Sequence, residues 1–249
     1  KFKISPDETL QVAQDLYEKK LTTYPRTDAR VLSSAVAKEI GKNISRLKGF
    51  EPTADFVEHI MQKRLYVNIA DTQYTDDSKV TDHYAIIPTG QLTELSGLTS
   101  LQRAVFELIV RRFLSIFYPP AEYENVKLVV DVDKESFFAS SKVLKSEGYL
   151  QVANPPKKKS FEEANARILG KNSETAEGAD ENGTANGGND EIVVNPKVML
   201  ELADKLKAGD EIACLGYNIK FGKTSPPKRY TSGSMVLAME NAGQLIEDE

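Results

Sequence analysis

The segment Thr23–Asp28 combines a tyrosine with an arginine two residues later. A tyrosine phenol has a pKa of about 10, so an attack on phosphorus requires proton removal or nearby positive charge. Arg26 can bind phosphate oxygens bidentately and stabilise charge in a transition state, while Asp28 can orient Arg26 or cap a following helix. The spacing therefore makes Tyr24 a candidate nucleophile. The structural alternative is that Tyr24 packs where a helix begins and that Arg26 and Asp28 form a surface ion pair.

A histidine begins the second candidate site, His83–Thr89. Its imidazole can donate a hydrogen bond to a phosphate oxygen or take a proton from Tyr24. A single histidine beside an apolar run also fits a purely structural role. The chain has two histidines and one cysteine, which excludes a histidine cluster and a multi-cysteine zinc site.

The third candidate site is the segment Lys223–Thr231, which holds three cations, an aromatic ring and several hydroxyls. Cations bind phosphates and aromatic rings stack on unpaired bases, which is typical of single-stranded nucleic-acid binding. A basic, proline-containing surface loop without this function is the alternative.

Hydrophobic periodicity predicts helices in the first half of the chain and strands in the second. The first helix has Ser5 as its N-cap, Pro6 at its first position and Glu8 in a capping box. Three more helices are predicted, from Thr27-Asp28 to Gly41, around Phe56–Val67, and over Leu101–Phe117. Strands are predicted at Val126–Val132, Phe137–Ala139, Lys142–Leu144, Tyr149–Val152, Ile212–Leu215 and Tyr217–Phe221, followed by a helix at Ser232–Asn241.

These elements predict an α+β fold. A helical domain over residues 1–118 would carry the candidate tyrosine, and a partial β-rich domain would cover residues 119–230. The glycine- and asparagine-rich stretch at about 157–190 is interpreted as a flexible insertion, because it offers too few apolar residues to offset the entropy of ordering. Residues 231–249 would begin a further helical segment.

Apolar content, net charge and cysteine count restrict the classes of protein to which this chain can belong. The 249 residues contain no apolar run of about 20 residues, so we expect no membrane-spanning helix. The net charge of −5 does not itself suggest DNA binding, but the first 120 residues are nearly balanced and the excess acid lies in the second half. One free cysteine is compatible with a reducing, cytoplasmic location.

Four motifs in order resemble the type IA DNA topoisomerases. The stretch Ala13–Leu32 (AQDLYEKKLTTYPRTDARVL) resembles the family's catalytic segment, and His83–Thr89 (HYAIIPT) its H-x-A-I-x-P-T element. Arg111–Leu114 (RRFL) and Thr224–Thr231 (TSPPKRYT) are similar to two further family motifs. The Y-P-R-T-D and H-x-A-I-I-P-T spellings resemble the bacterial topoisomerase III branch more than topoisomerase I. Ala29 and Val31 depart from the small polar and aromatic residues usual there.

The resemblance implies that Tyr24 forms a 5′-phosphotyrosyl bond with a single DNA strand and that religation needs no ATP. It implies that Arg26 positions the scissile phosphate and that His83 contacts the cleaved strand, which makes these three the expected catalytic residues. The expected DNA-binding residues are Asp28, Thr89, Lys228, Arg229 and Thr231. The β-rich region would act as the hinge of the strand gate.

The resemblance also implies a Mg²⁺ ion in the full-length enzyme, bound by an N-terminal Toprim domain of the same protein. This sequence contains no matching glycine-rich strand and D-x-D pattern. We therefore expect a central fragment of an isomerase that binds no metal and does not cleave DNA alone. The alternatives are a stand-alone single-stranded nucleic-acid-binding module and a structural helical scaffold, neither of them catalytic.

Overall fold

A computed structural model of the protein describes residues 2–153, 196–219, 221–224, 226–227 and 229–242. The chain divides into two compact units, Lys1–Tyr118 with Tyr217–Glu249, and Pro119–Gly216. Helices and one antiparallel two-stranded sheet make it an α+β protein, as the sequence predicts. The predicted flexible insertion, at about 157–190, lies outside the described residues.

Helix α1 spans Pro6–Glu18 and begins as predicted. The Ser5 side chain accepts a hydrogen bond from the Glu8 backbone, and the Glu8 carboxylate accepts one from the Ser5 backbone (2.8 Å). These bonds satisfy backbone N–H groups that have no partner inside the helix. Leu16 is fully buried near the C-terminal end of α1, which fixes the end of the helix that precedes the tyrosine segment.

Helix α2 spans Ser34–Arg46, so its predicted limits are wrong at both ends. Ser33 is the N-cap, which means that Thr27 and Asp28 do not cap this helix. Gly41 does not end it either. A Cβ at position 41 would lie 2.8 Å from the Tyr66 ring, so this glycine permits close packing inside the helix.

Helices α3 (Ala54–Lys63) and α4 (Ser100–Ser115) confirm the two remaining helix predictions for this half of the chain. α3 ends at Arg64 in the left-handed conformation, and α4 begins with a Thr99–Gln102 capping box. Phe50 and Phe106 meet edge to face, with ring centroids 5.2 Å apart. Fully buried side chains of the core include Leu16, Ile40, Ile44, Leu47, Phe50, Ile60, Phe106, Val110 and Leu114.

The second unit contains a two-stranded antiparallel ribbon of β1 (Glu122–Val132) and β2 (Glu135–Ser146). Burial alternates along β1, which confirms the predicted strand period. The two short strands predicted at Phe137–Ala139 and Lys142–Leu144 are parts of the single strand β2. The turn places Asp133 in the left-handed region (φ 57°), a conformation typical of two-residue hairpin loops.

Three other strand predictions are wrong. Within Tyr149–Val152 the chain forms a short helix, α5 (Leu150–Ala153), which follows a turn at Gly148. Gly148 has φ +47°, and a Cβ there would lie 2.3 Å from the Pro120 carbonyl oxygen. This turn redirects the chain before a strand can extend. The described residues of 212–221 form no strand, and α6 (Pro196–Lys205) is a helix that the apolar pattern did not predict.

Helix α7 spans Ser232–Glu240, close to the predicted Ser232–Asn241. Thr231 is its N-cap and shares a capping box with Ser234. In the part of the chain that the structure describes, no helix has the length and apolar character needed to cross a membrane.

Candidate active site

The tyrosine segment lies directly against the His83–Thr89 segment. Thr22 and Pro88 form an antiparallel bridge, and backbone hydrogen bonds join Thr23 N to Ile87 O (2.9 Å) and Thr89 N to Leu21 O (3.0 Å). On the tyrosine side, these two hydrogen bonds involve Leu21 and Thr23 and so flank Thr22, two residues before the tyrosine. The two motifs, separate in sequence, therefore form one unit of backbone structure.

Two threonine hydroxyls strengthen this junction. Thr23 Oγ1 donates to Ala85 O (3.1 Å) and accepts from Ile87 N (2.9 Å). Thr27 Oγ1 donates to His83 O (3.0 Å) and accepts from Ala29 N (3.1 Å). Neither threonine is among the site residues predicted from the sequence. The available signal was the pair of hydroxyl residues that flank the tyrosine and the arginine.

Two aromatic rings contact the ring of Tyr24, the candidate nucleophile. The Tyr24 and His83 ring centroids are 4.5 Å apart with their planes inclined at 41°, and Tyr17 meets Tyr24 edge to face at 5.3 Å and 80°. Among the described residues, none forms a hydrogen bond with the Tyr24 hydroxyl. The ring is therefore held while its oxygen is left uncommitted.

Arg26 and Asp28 are both exposed. No ion pair joins them, and neither has a side-chain partner among the described residues. The surface pair of the structural alternative is thus not formed. An exposed, uncommitted guanidinium two residues from Tyr24 is available to an anionic ligand.

A cleft of about 510 Å³ lies beside these residues. Its lining comes from the end of α1, the tyrosine segment and the histidine segment, and consists of Tyr17, Glu18, Lys20, Thr22, Thr23, Tyr24, His83, Tyr84, Thr89 and Gln91. Thr89, an expected DNA-binding residue, donates its hydroxyl to the Lys20 carbonyl. This hydrogen bond fixes the Thr89 side chain at the rim of the cleft and uses its hydroxyl proton.

The basic segment is only partly described. Lys228 lies outside the described residues. Arg229 is exposed, and the Thr231 hydroxyl accepts the backbone N–H of Ser234 as a helix cap. At the other end of α7, Glu240 forms an exposed ion pair with Arg30, which follows the tyrosine motif. This contact places the end of α7 next to the loop that carries Tyr24.

Arg111, in the RRFL motif, has a structural role. Its side chain is buried, donates to Glu107 Oε1 (2.7 Å) and donates to the Pro52 carbonyl (3.0 Å). These bonds hold α4 against the turn before α3. Ala29 and Val31 are likewise buried, which accounts for apolar side chains at both positions.

No group of three or more His, Cys, Asp or Glu side chains suited to a metal ion occurs among the described residues. The described part of the chain therefore does not fit the Mg²⁺ ion that the resemblance implies.

Residues 1–244 match the family model described as DNA topoisomerase. The chain is 31% identical to DNA topoisomerase 3 of Bacillus licheniformis and 32% identical to DNA topoisomerase 3 of Bacillus subtilis, in each case over 252 aligned positions. Both alignments cover all of this chain and 29% of the relative. The chain thus spans about three tenths of the length of these curated relatives.

Proposed function

This chain belongs to the type IA DNA topoisomerase family, and we propose that it carries the tyrosine with which such an enzyme cleaves and rejoins single DNA strands. The observation that carries the proposal is the junction of the two motifs. It brings His83 beside Tyr24, leaves the Tyr24 hydroxyl uncommitted and leaves the Arg26 guanidinium exposed. A nucleophile, a group that can take its proton and a cation that stabilises phosphate charge can together support transesterification at one phosphate.

The reaction is a transesterification. The Tyr24 oxygen attacks the scissile phosphorus and forms a 5′-phosphotyrosyl bond, while the bond from phosphorus to the 3′ oxygen breaks. The phenol loses a proton and the departing 3′ oxygen gains one. The reverse attack by the 3′ hydroxyl reseals the strand and frees Tyr24, so the phosphotyrosyl bond conserves the bond energy and ATP is not consumed.

The side chains around Tyr24 have separate proposed roles. Arg26 binds non-bridging phosphate oxygens and stabilises the charge that builds up on them. His83 donates a hydrogen bond to the cleaved strand or takes the phenol proton, because its ring lies beside Tyr24. Asp28 and Thr89 line the path of the strand, and Lys228, Arg229 and Thr231 bind single-stranded DNA.

The remaining parts of the proposal concern the protein that contains this chain. A Toprim domain of the same protein binds Mg²⁺ and is, with single-stranded DNA, a partner of this site. The β-rich region, residues 119–230, is the gate hinge. The helical region, residues 1–118, carries the nucleophile, and residues 231–249 begin the next helical segment. The protein acts on DNA in the cytoplasm, and this chain alone is inactive in cleavage.

A labelled single-stranded oligonucleotide tests the proposed function. This chain is mixed with a separately expressed Toprim domain of a related topoisomerase and Mg²⁺, and covalent adducts are separated on a denaturing gel. We expect an adduct with the unchanged chain, none with Tyr24→Phe, and an undiminished adduct with the control Tyr74→Phe, whose ring lies outside the cleft.

Two outcomes would contradict the proposal. An adduct that forms equally with Tyr24→Phe would show that Tyr24 is not the nucleophile. Binding of the oligonucleotide without an adduct in any mixture would favour the alternative of a nucleic-acid-binding module.

A further inference from the structure

Tyr17 contacts the proposed nucleophile from a separate element. It lies in the last turn of α1, seven positions before Tyr24, and its ring meets the Tyr24 ring edge to face with centroids 5.3 Å apart and planes at 80°. Edge-to-face contact is a favoured geometry of aromatic pairs, because the positive edge of one ring meets the negative face of the other. Tyr17 also lines the cleft beside Tyr24.

The position of Tyr17 is itself well fixed. Its neighbour Leu16 is fully buried, and the Leu16 carbonyl accepts a hydrogen bond from Leu21 N (2.9 Å). Asp15, on the same turn, accepts a hydrogen bond from Gln102 Nε2 (2.8 Å), which joins the end of α1 to the start of α4. Tyr17 therefore offers the nucleophile a contact anchored in the helical core.

The Tyr24 side chain needs such a contact. Its hydroxyl has no hydrogen bond to a described residue, so the orientation of the phenol depends on the backbone and on neighbouring rings. A hydrogen bond would fix the ring as well, but it would engage the oxygen that must attack phosphorus. Aromatic contact restricts the ring and leaves the oxygen free.

We propose that Tyr17 is a positioning residue for Tyr24, with its ring holding the phenol in the orientation required for attack. This inference rests on the proposed function of Tyr24. Tyr17 touches no reacting atom, so its hydroxyl is dispensable and its ring is not. A misplaced nucleophile lowers the rate of the chemical step more than it lowers the affinity for the strand.

The kinetic test uses the chain with its Toprim partner under single-turnover conditions at saturating oligonucleotide. We expect Tyr17→Leu to lower the cleavage rate constant by between about twofold and about tenfold, the energy of an aromatic pair expressed as a rate ratio. Oligonucleotide affinity should stay unchanged, and Tyr17→Phe should restore the rate. The matched control is Tyr123→Leu, which removes a tyrosine of similar exposure (42% against 39%) from the β ribbon.

A second measurement does not depend on cleavage. 3-Fluorotyrosine placed at position 24 reports ring contacts through its ¹⁹F chemical shift, measured on this chain alone. We expect Tyr17→Leu to move the resonance toward that of the unfolded chain, and Tyr17→Phe and Tyr123→Leu to leave it in place. Thermal unfolding of each variant identifies any general loss of structure.

The outcomes separate the two proposals. A ¹⁹F resonance that does not move in Tyr17→Leu would overturn the positioning role, and so would a moved resonance with an unchanged cleavage rate. A rate lost equally in Tyr17→Phe would assign the effect to the hydroxyl and also overturn it. Cleavage by Tyr24→Phe would instead refute the proposed function, whatever Tyr17 does.

Discussion

The imidazole of His83 lies beside the phenol of Tyr24, with ring centroids 4.5 Å apart, although the two residues belong to different motifs. The backbone of His83 is fixed independently of its ring, because the His83 carbonyl accepts a hydrogen bond from the Thr27 hydroxyl (3.0 Å). The imidazole of His83 is exposed. A fixed backbone with an exposed ring suits a group that contacts a bound strand.

His83 can act through its ring or through its N–H groups, and two substitutions separate these roles. His83→Phe keeps an aromatic ring beside Tyr24, whereas His83→Ala removes the ring as well. If the N–H groups serve the strand, both variants should lower the single-turnover cleavage rate by about 10²-fold, the lower end for loss of a proton-transfer group. Full cleavage activity in His83→Phe would assign the residue a packing role only.

The Thr23 hydroxyl should stabilise the junction of the two motifs. Thr23→Val leaves the amide of the buried Ile87 without its side-chain acceptor, so we expect the free energy of unfolding to fall by about 1–3 kcal/mol. The cleavage rate should fall with it, because the junction positions the site. Urea unfolding of this chain measures the stability.

Thr22 provides the matched control. Its hydroxyl is buried and has no hydrogen-bond partner among the described residues. Thr22→Val removes a polar group that was buried without compensation, so the free energy of unfolding should rise by about 1 kcal/mol. Equal losses in the two valine variants would show that the Thr23 hydrogen bonds contribute nothing specific.

Arg229 should bind phosphate without reading base sequence. We expect Arg229→Ala to weaken single-strand affinity similarly for different sequences and to reduce the steepness of its dependence on salt, since one fewer counterion is released. Fluorescence anisotropy over a range of salt concentrations measures both quantities. Arg103→Ala, which removes an exposed cation of α4, is the control. An unchanged affinity and salt slope in Arg229→Ala would reject the role.

Asp76 should make stability depend on pH. Hydrogen bonds from Lys79 and Ser78 lower the pKa of its carboxyl from 3.8 to about 2. A lowered pKa in the folded state adds stability above the unfolded value, and this stability is lost as the pH falls through the folded value. The difference in unfolding free energy between the parent chain and Asp76→Asn should therefore be constant near neutral pH and shrink between about pH 4 and about pH 2. Urea unfolding across this range tests it, and a difference independent of pH would contradict it.

Local signals in the sequence predicted much of the fold. Ser5, Pro6 and Glu8 define the start of α1, and the apolar stripe of Leu101–Phe117 defines α4, because caps and helical periodicity depend on neighbouring residues. The alternation of Val126–Val132 likewise identified β1. The C-terminal limit of α2 was missed because Gly41, a residue type typical of helix ends, instead lies inside the helix, where it allows the distant Tyr66 ring to pack closely.

Part of the site could also be read from the sequence. The types and order of the residues selected Tyr24, Arg26 and His83, since a nucleophile, a phosphate-binding cation and a proton-transfer group are recognisable by their chemistry. The catalytic roles of these residues stay predictions. Thr23, Thr27 and Tyr17 were not selected, because a hydroxyl or a ring acquires its role only from the partner it meets.

The sequence by itself determined which groups and local elements this protein has: its candidate nucleophile, the helices that begin at strong caps, and the four motifs of its family. Only the tertiary structure decided which of these groups meet. Hydrogen bonds between residues 21–27 and 83–89 bring His83 to Tyr24, and the core packing of α1 brings Tyr17 to the same ring. The physical reason is that hydrogen bonds and ring contacts between distant segments depend on how the whole chain closes, and local periodicity carries no information about that closure.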